Sequence, residues 1–188
     1  MKKMILIACA ILLTVSIPEY VTAQKYPSLN ASPADIAYFR PGGRNAEPVA
    51  KVIYSRPQKK GREMIGGKEP FGKIWRAGPN ESTEVKFYRN VTFGGKQVKA
   101  GTYTLYAIPN QDKWTVILNS KLDTWGAYGY DESKDVARVD ANVEKPAQEI
   151  EAFSIAFTGS EDDGKMYLAW ENYQVAIPIQ VSGDLSNN

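Results

Sequence analysis

A chain of 188 residues is long enough for one domain with a sizeable core and short for two. Lys and Arg total 23 against 21 acidic residues, and a net charge of +2 sets up no strong field for nucleic acid or an anionic membrane. Histidine is absent and the one cysteine is Cys9, which excludes Ser-His-Asp and Cys-His catalysis, thiolate or imidazole metal sites, and haem held by either.

The first residues read as an export signal. Lys2 and Lys3 precede an apolar run from Met4 to Ile17, and Val21-Thr22-Ala23 supplies small residues for cleavage before Gln24. The run is shorter than the roughly 20 residues of a membrane span, so no transmembrane segment is expected after cleavage. Cys9 falls too early in the run for a lipoprotein box, and its removal leaves the mature chain without cysteine. Asn30, Asn80 and Asn90 sit in Asn-x-Ser/Thr sequons, which matter only in a eukaryotic secretory pathway. The missing disulfides favour a bacterial exported protein in the periplasm, at the cell surface or in the medium.

An extended N-terminal segment follows over 24–48, with a short strand at Ile36-Ala37-Tyr38-Phe39. From Val49 onward apolar residues alternate with period two. Strands are expected at Val49–Ser55, Thr83–Arg89, and in a hairpin of 91–93 and 97–99 turned by Gly94-Gly95. Gly101–Ile108, Trp114–Asn119, Val136–Val143, Ile150–Thr158, Lys165–Glu171 and Gln174–Val181 complete the set. No stretch sustains helical periodicity. The pattern predicts an all-β domain over 49–182, an antiparallel β-sandwich or flattened barrel of nine or ten short strands, before a disordered tail at 183–188. Val52, Phe87, Leu105, Val116, Ile155, Leu168 and Ile177 are the expected core, joined by Trp114 and Trp170.

Tyr54 to Asn80 breaks the alternation. It carries Arg56, Arg62 and Arg76 among glycines and prolines, with Trp75 and the following Asn80-Glu81. Guanidinium groups suit carboxylate, phosphate or sulfate, and they also brace loops by bonding carbonyls. Both readings stand at this level, with Glu81 and Asp131 as the expected internal partners of the bracing case.

Tyr54-Ser55-Arg56-Pro57, Lys60-Gly61-Arg62, Phe71-Gly72-Lys73-Ile74-Trp75-Arg76, Asn80-Glu81, Ala100-Gly101-Thr102-Tyr103 and Trp125-Gly126-Ala127-Tyr128 together resemble the signature blocks of domain-of-unknown-function family 2911. The resemblance runs from about Ala31 to Val181 and implies an exported protein of the kind found mainly in Bacteroidota. It implies no reaction. Ala77 and Pro79 stand where the family usually has Thr and Ala, and Pro79 stiffens the approach to Asn80.

Trp125-Gly126-Ala127-Tyr128-Gly129-Tyr130 offers aromatic faces that either stack on sugar rings or plug an end of the sandwich. Only oxygen ligands remain for a metal, and neither Asp131-Glu132…Asp135 nor Glu161-Asp162-Asp163 has calcium-loop spacing, so no metal site and no cofactor are expected. The leading expectation is a non-catalytic envelope module holding a small anionic or carbohydrate ligand. Its candidate contacts are Tyr54, Arg56, Arg62, Trp75, Arg76, Asn80, Glu81, Trp125 and Tyr130. The alternatives are a hydrolase with paired carboxylates among Glu81, Glu84, Asp123 and Asp131, or a polysaccharide-lyase-like enzyme with Arg56 or Arg76, Asn80 and a Tyr54 or Tyr130 base, and a protein-interaction component of the envelope.

Overall fold

The structure is a computed structural model that describes residues 23–182. The predicted signal peptide, but for Ala23, and the predicted tail at 183–188 lie outside the described residues. Eleven strands are described: β1 Ala34–Phe39, β2 Ala50–Ser55, β3 Thr83–Phe87, β4 Val91–Phe93, β5 Lys96–Val98, β6 Gly101–Ile108, β7 Lys113–Asn119, β8 Asp135–Asn142, β9 Ile150–Thr158, β10 Gly164–Glu171 and β11 Tyr173–Val181. A single 3-10 turn at Glu132–Lys134 is the one helical element among the described residues.

The strands form two antiparallel sheets, one of order β1-β2-β3-β6-β7-β8 and one of order β5-β4-β11-β10-β9. The fold is a sandwich, not a closed barrel. Period-two alternation sets it up: along β2, Val52 and Tyr54 turn inward while Ile53 faces out. All seven expected core residues are buried, the most exposed being Ile155 at 5%. The Gly94-Gly95 turn has φ of 54° and 82°, the left-handed pair that a two-residue hairpin demands. Gly94 also lies under β8, where an added Cβ would sit 2.3 Å from Val139 Cγ1. This turn is glycine for two independent reasons.

The connection between β2 and β3 is part of the core. Trp75 exchanges both backbone hydrogen bonds with Ala107 of β6, at 2.7 and 2.8 Å. Its ring stacks on Trp170 of β10 at 5.7 Å and meets Trp114 of β7 edge-on at 6.0 Å. One tryptophan from a loop therefore joins the two sheets, held by aromatic geometry as well as by burial.

A second connection, Ser120–Lys134, folds over the outer face of the six-stranded sheet. Beneath it Tyr106 and Ile117, paired across β6 and β7, are fully buried. Tyr130 packs on Tyr106 at 5.1 Å.

Candidate functional site

The three candidate arginines do not converge. Arg56 Nε donates to Phe153 O at 3.1 Å, Nη2 to Ser154 Oγ at 2.8 Å, and Nη1 to Asp35 at 3.0 Å. It pins β1 and the start of the long connection to β9. Arg62 folds back on its own turn, donating to Lys59 O at 2.8 Å and Gln58 O at 2.7 Å. The partners are backbone carbonyls, a hydroxyl and Asp35; neither Glu81 nor Asp131 takes part. Asp131 instead caps the 3-10 turn, and hydrogen bonds from Ser133 hold its carboxyl below the usual range.

Arg76 is different. Among the described residues its guanidinium has no hydrogen-bond partner. Its Nε is shut away from solvent, and the side chain as a whole is partly buried. A Cβ placed on Gly126 would lie 3.6 Å from Arg76 Nη1, so the guanidinium rests against the chain beside Trp125. Burial pushes the Glu69 carboxyl up, and the Arg76 charge opposes that shift without closing an ion pair.

Tyr54 and Trp75 belong to the core, at 4% and 3% exposure. Burial pushes the Tyr54 hydroxyl up. Tyr130 donates to Asp135 Oδ2 at 2.7 Å and accepts from Arg138 at 2.7 Å. Burial and the Asp135 carboxylate push its hydroxyl up as well. Both tyrosines are held protonated, and neither environment makes a general base at neutral pH.

Glu81 and Trp125 do meet. They form an isolated antiparallel bridge, continued by Ser82 N–H donating to Thr124 O at 3.2 Å. This contact borders a cleft of about 350 Å³ lined by Ile53, Glu81, Ser82, Glu84, Asp123, Thr124 and Trp125. Trp125 is 62% exposed, against 3% or less for the other three tryptophans. The Ser82 and Thr124 hydroxyls bond each other and their neighbours, so the free polar groups are the three carboxylates. Ala77, Asn80 and Asp123 have φ of 52°, 63° and 55°, three of the five left-handed non-glycine residues described. Asn and Asp enter this region readily, so of the three only Ala77 is strained.

A larger cavity of about 700 Å³ lies at the Lys59–Glu63 turn, where Arg62 is found. Its charges are largely internal. Lys59 pairs with Glu149, and the buried Glu171 carboxylate accepts the Met64 and Ile65 N–H groups at 3.1 and 2.8 Å. Glu63, Asp112 and Lys145 of its lining have no side-chain partner among the described residues, so what favours the cleft is the exposed Trp125 ring with Arg76 close by.

Of the candidate carboxylates, Glu81, Glu84 and Asp123 line the cleft and Asp131 does not; sequence reasoning did not place them beside Trp125 and missed Ile53. Their only sequence signal is an outward position on β2 and β3 or a turn, which many surface residues share. Among the described residues no group of three Cys, Asp or Glu is arranged to hold a metal ion. No helix among them is long and apolar enough to cross a membrane.

No curated protein and no solved structure matches the chain. A family model described as a protein of unknown function, DUF2911, matches residues 35–179, which takes in β1 and runs to within two residues of the end of β11. With three quarters of the chain matched, the protein belongs to the DUF2911 family.

Proposed function

We propose that this protein is an exported, non-catalytic envelope module that binds a small anionic or carbohydrate ligand beside Trp125. The observation that carries the reading is Arg76: a partly buried guanidinium that has no acceptor among the described residues. Arg56 and Arg62 spend their donors on the fold, so the planar fork left for a carboxylate, phosphate or sulfate is that of Arg76. The neighbouring exposed tryptophan and the left-handed backbone at Ala77 support the same place. The signal-like sequence at 1–23 supports export.

The test is thermal unfolding with millimolar sulfate, phosphate or glucuronate against sodium chloride of equal ionic strength. These concentrations lie below the range in which sulfate stabilises by general exclusion. Binding to the folded state raises Tm by mass action. Arg76→Lys keeps the charge, loses the fork and abolishes the rise, while Arg62→Lys retains it. Absence of any anion-specific rise in the parent protein refutes the reading.

A further inference from the structure

We infer that the ligand is an acidic sugar joined to a neutral one, its carboxylate on Arg76 and its neutral ring on Trp125. The inference rests on the reading above and narrows it to one ligand class. Contact with Gly126 places Arg76 Nη1 within about 9 Å of the Trp125 Cα, one residue step away along the chain. Arg76 is not in the cleft lining, so a ligand on the Trp125 ring must extend beyond the cleft, past Gly126, to set an anion on Arg76.

The cleft dictates the rest of that molecule. Glu81, Glu84 and Asp123 show no hydrogen bond to any described residue, and carboxylates only accept. They call for a ligand rich in donors. Ile53 and the exposed Trp125 ring add apolar faces, which fit the C–H face of a pyranose whose hydroxyls point to the carboxylates. A simple dicarboxylate supplies no such donors and inorganic phosphate only one or two, with no ring face.

Charge fixes where the acid group goes. The cleft lining contains three carboxylates and no lysine or arginine. Lys51 and Lys86 flank Glu84 in an adjoining recess, with the Lys86 ammonium over the Tyr88 ring at 4.7 Å, so they offset part of that charge. Glu81 and Asp123 have no such neighbour in either lining. A second uronate placed there meets like charge, whereas a neutral sugar does not. One acidic residue at Arg76 followed by one neutral residue satisfies both halves.

Calorimetry with four probes tests this: cellobiouronic acid, which is glucuronate linked to glucose, cellobiose, digalacturonate and free glucuronate. The expected result is that cellobiouronic acid binds about tenfold or more tightly than each of the others. Trp125→Ala, at an exposed position, weakens cellobiouronic acid about tenfold but leaves glucuronate and sulfate unchanged. Glu81→Gln narrows the gap to digalacturonate. Equal binding of cellobiose, of digalacturonate or of free glucuronate overturns the inference, and so does indifference to Trp125→Ala. In those cases an anion effect that still depends on Arg76 leaves the broader function standing. No binding of any probe together with no anion effect overturns both.

Discussion

Tyr54 Oη accepts the Ile155 N–H at 3.1 Å and donates to Ile155 O at 3.4 Å. One side chain from the six-stranded sheet thus occupies both outward backbone groups of a residue on β9, an edge strand of the other sheet. The same edge is covered further along, where Phe153 N–H donates to Pro57 O and Lys59 N–H to Glu151 O. Free strand edges are templates for pairing with another chain, and this one is covered by side chain and loop. Tyr54→Phe leaves a buried N–H and C=O without partners, at a cost of about 1–3 kcal/mol. Urea unfolding measures the loss, and light scattering of the variant should show faster association than the parent.

Arg56 acts on the same edge. Replacing it with Lys keeps one charge but cannot reach Phe153 O, Ser154 Oγ and Asp35 together. A loss of about 1–2 kcal/mol is expected, discounted because the Asp35 pair is well exposed. The anion effect at Arg76 should survive in this variant. A change in anion affinity without a change in stability would reverse the roles assigned to the two arginines.

Glu69 should be worth more neutral than ionised. Its carboxyl is raised from an ordinary value near 4.5, mainly by burial. A raised folded-state pKa means the folded chain holds its proton longer than the unfolded chain. Its contribution is therefore fully present below about pH 4.5 and is lost as pH rises above that value. Glu69→Gln should stabilise the protein at pH 7, flatten that part of the stability profile, and tighten anion binding at Arg76. Denaturant titrations between pH 4 and 7 measure the first two effects and calorimetry the third.

Tyrosines raised by burial, among them Tyr54 and Tyr130, give the opposite end of the profile. Tyr54 and Tyr130 both ionise less readily than a free tyrosine near 10. Their contribution is intact below about pH 10 and falls as pH rises beyond it. Tyr130→Phe should remove part of this alkaline loss, and absorbance at the tyrosinate band should show one fewer late-titrating group.

Gly94→Ala should cost about 2 kcal/mol or more, since the new Cβ meets Val139 at 2.3 Å in a left-handed turn. Val139→Ala should partly rescue it by removing both γ-methyl groups. Chemical unfolding of the two single variants and the double variant gives the coupling.

The sandwich was legible because alternation is a local property: Val52, Leu105 and Leu168 show which way each strand faces without knowledge of the partner sheet. Strand number came out at eleven, because the expected count of nine or ten covered 49–182 and β1, named as a short strand before it, joins the six-stranded sheet. The candidate site was legible only in part. Arg76, Glu81 and Trp125 come together, but nothing local distinguishes Arg76 from Arg56, whose acceptors lie at Phe153 and Ser154 far along the chain. Arginine pairing is a long-range outcome of topology. The same holds for Trp75, ambiguous in sequence and central in the fold, and for Asp123, brought to the cleft by a left-handed turn.

The position of Trp75 also bears on how the chain folds. The strands it lies between, β2 and β3, are neighbours in one sheet, yet the excursion from Arg56 to Ser82 separates them. Closing so long a loop costs entropy before any local hydrogen bonding offsets it. The bonds of Trp75 to Ala107 and its contact with Trp114 lie within that sheet, but those with Trp170 and Phe153 belong to the other sheet and to the last third of the sequence. The first sheet therefore gains only part of what offsets its loop by forming ahead of the second. Both should appear in a single slow step, without a half-built intermediate, and one marker of that step is the burial of indole from a connecting segment.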